Sequence, residues 1–171
     1  MAQMTITAKI QIIAAETDKV LLDETMSVYR NACNYVSDYV FRTHDLKQFS
    51  LNKALYSTLR EKFNLKSQMA QSVLKTVIAR YKTILKNQNE WIKPSFRKPQ
   101  YDLVWNRDYS LTQNCFSINT LNGRVKFLTK LGIVGTFLLN SFTTNKSRLM
   151  FAVISCNNKV KDRKSTRLNS S

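Results

Sequence analysis

The sequence predicts an α+β fold, a β-barrel whose first strand is separated from the others by a three-helix insertion. Three observations carry this expectation. Residues Thr5 to Ile12 alternate strictly between apolar and polar, and a helical period then runs from about residue 16 to about residue 90. Beyond Pro94 and Pro99 the helical period does not return, and alternation resumes around Asn122-Gly123.

In the first strand Ile6, Ala8, Ile10 and Ile12 share one side, which suits a half-buried strand. Leu21, Leu22, Met26, Tyr29, Ala32, Cys33, Val36, Tyr39 and Val40 then fall on one helical face, with Thr17 or Asp18 placed to cap the start. Ser50 is the expected cap of a second helix whose Leu51, Ala54, Leu55 and Leu59 share a face. Phe63 is its anchor and Asn64 its stop. Ser67 is the expected cap of a third helix reaching about Asn87, with Met69, Val73, Val77, Tyr81 and Ile84 on its apolar side. Asn122-Gly123 suits a type I′ hairpin turn, which predicts that Ile118 faces Phe127 and Asn119 faces Lys126, with Phe116, Ile118, Val125 and Phe127 inward. Leu149 to Cys156 is apolar on both faces, as in a central strand. The expected division is a barrel domain from 1–15 and 92–160, a helical domain from 16–91 and an exposed tail, 161–171.

The 171 residues carry 27 Lys and Arg against 11 Asp and Glu, a formal net charge of +16 that points to a polyanionic partner. The surplus is local. Residues 51–100 hold 11 basic and only two acidic side chains, and on the third helix Lys75, Lys82 and Lys86 form one stripe opposite the apolar face. A merely solvated surface mixes signs, whereas this one does not. Lys93, Arg97 and Lys98 extend it toward the strands, with Trp91 and Phe96 able either to stack on bases or to join the core.

No apolar run reaches membrane-spanning length, and Lys9 interrupts any secretory start. Cys33, Cys115 and Cys156 form no CxxC pair, so neither a disulfide framework nor a zinc site is expected, and a cytoplasmic location fits. With three glycines there is no phosphate-binding glycine loop, and His44, the only histidine, reads as a surface or capping residue at a helix end. The strand region holds only Asp102 and Asp108, too few carboxylates for a two-metal site, so the chain is expected to be no enzyme and to carry no cofactor of its own.

Several stretches together resemble the TnpB (OrfB) family of insertion-sequence proteins, RNA-guided DNA nucleases long described as transposases. They are Lys9 to Ile12, Tyr29-Arg30-Asn31-Ala32-Cys33-Asn34-Tyr35, Leu74-Lys75 with Tyr81-Lys82, Pro94 with Phe96-Arg97-Lys98, Gly123-Arg124-Val125-Lys126 and Lys130-Leu131-Gly132. The resemblance covers residues 4 to about 156, the N-terminal half of such a protein. It implies a wedge-type barrel, a helical recognition domain, and guide RNA and DNA as partners. It also implies that the carboxylates holding Mg²⁺ and the cysteines holding Zn²⁺ belong to parts this chain does not contain. The position that reads a short motif beside the target matches Gln71, chemically suited to adenine. A basic residue four positions earlier is replaced by Ser67, beside Lys66, and Thr112 is a further contact. With Lys53, Lys75, Lys82, Lys86, Lys93, Arg97, Lys98, Arg124 and Lys126 these make up the expected nucleic-acid-binding set. The rival reading is a stand-alone helix-turn-helix protein using the second and third helices. The string from Asp162 to Ser171 resembles a translated sequencing adapter and is set aside from fold reasoning.

Overall fold

The computed structural model of the chain describes residues 11–88, 90–98, 100–104, 106–112, 115–130 and 151–155. Strand β1 (Gln11–Ile13) is followed by helices α1 (Glu16–Thr43), α2 (Gln48–Lys62) and α3 (Ser67–Gln88). Strands β2 (Gln100–Val104), β3 (Tyr109–Leu111), β4 (Cys115–Thr120), β5 (Gly123–Lys130) and β6 (Phe151–Ser155) come after them. The fold is therefore α+β, in the expected order.

Each helix buries most of the stripe its period marks, but Ala54 of the expected second-helix face is exposed, and Leu21, Tyr39 and Ile84 are half-buried. On α2, Leu51, Leu55 and Leu59 recur every four residues and are buried, and on α1 the buried set runs from Leu22 through Met26, Tyr29, Cys33 and Val36 to Val40. Burying one such side chain stabilises by about 1.5–3 kcal/mol. Tyr29 also satisfies its hydroxyl inside, 3.0 Å from both Ser72 Oγ and Thr76 Oγ1 on α3. The helix starts differ from expectation. α1 begins at Glu16 after Ala15, α2 at Gln48 after Lys47, and neither N-cap makes a side-chain bond, while Ser67 lies inside the first turn of α3. Thr17, Asp18, Ser50 and Ser67 are therefore not N-caps. Upstream of α2, Asp45 accepts the Lys47 N–H at 2.7 Å and bonds the Ser50 hydroxyl, and these two bonds hold its carboxyl below the usual range. The stops agree with expectation, since His44 closes α1 at φ 55° and Asn64 turns the chain at φ 49°.

The strands form two antiparallel ladders, one of four strands in the order β1-β5-β4-β3 and one of β2 with β6. Among the described residues the expected barrel is not closed, because neither β2 nor β6 pairs with a member of the larger sheet. Of the expected first strand only residues 11 and 12 lie within the described part, and its pairing with β5 joins Gln11 to Lys130. The β4–β5 hairpin is shifted by two residues from the expected register. Thr120 meets Gly123, Ile118 meets Val125 and Phe116 meets Phe127. A type I′ turn needs positive φ at both Asn122 and Gly123, but here the turn residues are Leu121 and Asn122 and the positive φ, 130°, falls on Gly123. A shift of two preserves the faces, so Phe116, Ile118 and Phe127 are still buried and Val125 is half-buried.

One buried cluster is continuous from the helices into the strands, taking in Tyr101, Leu103, Tyr109, Leu111, Phe116, Ile118 and Phe127. Between α3 and β2 an extended strap, residues 91–98, runs back along α1. Asn34 grips the Phe96 backbone at both ends, accepting its N–H at 2.8 Å and donating to its carbonyl at 3.1 Å. Ser37 donates to the Pro94 carbonyl at 2.8 Å, and Trp91 Nε1 donates to the Phe41 carbonyl at 3.1 Å. The side chains thus do for the strap what a sheet ladder does for a strand.

Candidate nucleic-acid interface

Helix α3 is amphipathic, and its buried side fixes where the other side points. Met69, Val73, Leu74, Val77 and Tyr81 are buried, whereas Lys75, Lys82 and Lys86 are exposed. At about 100° per residue Gln71, Lys75, Lys82 and Lys86 lie within about 60° of one another, along about 22 Å of helix. The lysines expected from sequence therefore do share one side of α3, with Gln71 at its head and buried Ile78 between Lys75 and Lys82.

Gln71 does not stand alone. It lines an open pocket of about 370 Å³ with Gln48, Phe49 and Asn52 from the first turns of α2. α2 and α3 run antiparallel here, as the Tyr56 to Ser67 hydroxyl contact at 2.9 Å shows one turn further on. Phe49 is 84% exposed, and Asn52 Oδ1 is buried with no hydrogen-bond partner. The four lining residues are three amides and one aromatic ring, and none carries a charge. Gln48, Phe49 and Asn52 are absent from the sequence expectation. The available signal was Phe49, a large aromatic off the Leu51, Leu55, Leu59 stripe.

The other expected residues divide by what they touch. Lys53, Arg97, Lys98, Thr112, Arg124 and Lys126 are exposed, and Lys66 is half-buried. Ser67 is occupied, its hydroxyl shared between Tyr56 and the Arg60 guanidinium at 3.4 Å. Lys93 pairs with Asp38 at 2.7 Å, which raises its pKa. Thr112 closes the β3–β4 turn on the Cys115 carbonyl, with its N–H at 2.8 Å. Trp91 stacks on His44 at 4.5 Å between centroids and also meets Tyr81, so with half-buried Phe96 it belongs to the core rather than to a base platform.

Asp102 and Asp108 point inward. Asp102 accepts the Thr76 hydroxyl at 2.7 Å, and Asp108 is 1% exposed and accepts the Val104 N–H at 2.9 Å. Among the described residues no group of three His, Cys, Asp or Glu could hold a metal ion, and no described helix is long and apolar enough to cross a membrane. Fold and surface together define an α+β protein with an acid-poor cationic helix face and a neutral, amide-lined pocket at its end. No protein-family model matches the chain, and no curated protein matches its sequence.

Proposed function

We propose that this chain is the nucleic-acid-binding N-terminal part of a transposon-encoded RNA-guided DNA endonuclease of the TnpB type. It holds guide RNA and a target-adjacent DNA motif in the cytoplasm and does not itself cleave. The observation that carries the proposal is that Gln71, Lys75, Lys82 and Lys86 share one side of α3. Gln71 and its amide-lined pocket offer base-edge contacts at one end, and Lys75, Lys82 and Lys86 offer backbone charge along the rest. On this reading helices 16–91 are the recognition domain, and the two ladders are walls of one wedge-type barrel formed from 1–15 and 92–160. The stand-alone helix-turn-helix reading is less well supported. A major-groove reader needs free side chains in the first turn of its recognition helix, and here Ser67 is engaged by Tyr56 and Arg60, and Gln68 by Arg107.

The test is equilibrium binding to RNA and duplex DNA across salt. Affinity is expected to fall steeply between about 50 and 200 mM salt, and Lys75→Glu, Lys82→Glu and Lys86→Glu together are expected to weaken it while the melting temperature stays close to that of the parent. Binding that is flat across that range would overturn the proposal.

A further inference from the structure

The four-stranded sheet has one face in the core, and on the other, among the described residues, Arg124, Lys126 and Leu128 are exposed. Tyr109, Leu111, Phe116, Ile118 and Phe127 are buried on the inner side, so the two-residue period puts Ser110, Ser117, Arg124, Lys126 and Leu128 on the other. There Ser110 pairs with Ser117 across β3–β4, and Ser117 with Lys126 across β4–β5. The two serine hydroxyls are 2.7 Å apart. The Arg124 guanidinium lies over both, donating from Nε to Ser117 Oγ at 3.0 Å and from Nη2 to Ser110 Oγ at 3.3 Å. A guanidinium has five N–H donors, and these bonds use two. Arg124 is exposed, whereas Ser117 beneath it is only 6% exposed.

This arginine differs from an ordinary surface cation in being held. A free arginine gives up rotamer freedom when it binds, but here two hydroxyls have already fixed the plane of the fork. Its charge acts on buried Asp108 only at a distance, without a direct ion pair. Both acids of the strand region are turned inward, and among the described residues the ion pairs involve only Lys19 with Glu16 and Lys93 with Asp38. Lys126 continues the row about 7 Å along the strand, and Leu128, 65% exposed, follows it.

We infer that Arg124, positioned by Ser110 and Ser117 and joined by Lys126, is a phosphodiester-binding site for a single nucleic-acid strand laid across this face of the sheet. A planar fork matches two oxygens of one phosphate, and the second cation meets the strand further along. Leu128 offers apolar surface to a base. A single strand exposes its bases to such a side chain and a duplex stacks them away, so an extended single strand is the occupant this row fits. The inference rests on the proposed nucleic-acid binding but uses elements other than α3.

The experiment is fluorescence anisotropy with a labelled oligouridylate, using the whole chain and a form with Lys75, Lys82 and Lys86 changed to Ala. In both backgrounds Arg124→Ala is expected to weaken binding about tenfold and to lower the slope of log affinity against log salt by about 0.7, one phosphate contact on a single strand. Arg124→Lys and the double change Ser110→Ala, Ser117→Ala are expected to keep the slope and lose affinity, because charge stays and orientation goes. If the serine pair proves necessary for folding, Arg124→Lys alone decides. Unchanged affinity on Arg124→Ala overturns the site while leaving the α3 interface standing, and loss at Arg124 without loss on the lysine changes sinks α3 alone. Displacement by polyglutamate as readily as by oligouridylate would make the partner an acidic protein and overturn the assignment.

Discussion

At the scale of the residue, Asp108 is the clearest case of a side chain under electrostatic tension. Burial raises its carboxyl above the ordinary carboxylate range, opposed by the Val104 N–H and by the charges of Arg107 and Arg124. Tyr101, buried nearby, is raised in turn by burial and by Asp108. A raised native pKa means that the folded chain binds the proton more tightly than the unfolded one. This contribution is therefore full below the ordinary value and is lost as pH rises through the native value. Asp108→Asn keeps an acceptor for Val104 and removes the charge. It is expected to raise the melting temperature at about pH 7, with the gain vanishing below about pH 3, where aspartate is protonated in both states. Thermal melts at the two pH values check this, and an equal gain at both would show that charge is not the cause.

At the scale of the element, the strap along α1 separates bonds that matter from bonds that do not. Asn34→Ala orphans the Phe96 N–H and carbonyl and is expected to cost about 1–3 kcal/mol. Asp38→Ala breaks only the exposed pair with Lys93 and is expected to cost about 0–1 kcal/mol. Denaturant titration of both variants measures the difference, and a larger loss at Asp38 would contradict the assignment. The strap was hidden in the sequence because its partners are side chains 57 and 62 residues away, and no local period marks them. The helices were legible because apolar spacing is a local signal that packing then reinforces, as at Leu51, Leu55 and Leu59. Their first residues were not, since Ser and Thr near a helix start are equally at home bonding elsewhere, as Ser67 does with Tyr56. Within the site, the lysine row was readable from α3 alone, whereas the pocket needed α2 laid against it.

At the scale of the whole molecule, chemistry follows from what the core has absorbed. Asp102 and Asp108, the only acids of the strand region, serve Thr76 and Val104 and do not converge on an ion. The chain is therefore expected to leave matched nucleic acid intact with Mg²⁺ or Mn²⁺ and guide present, since two-metal hydrolysis needs carboxylates holding ions about 3.5–4 Å apart. Cleavage abolished by Asp102→Ala or Asp108→Ala would refute this. The pairing of β1 with β5 has a further consequence, in time rather than in space. Gln11 meets Lys130 only after the whole helical block has been threaded between them, whereas the contacts within α2 and α3 span a few residues to a few tens. Closing so long a loop is entropically slow and is repaid only when its far end is ready to receive it. The helices are therefore expected to assemble first, with β1 added late to an edge already made.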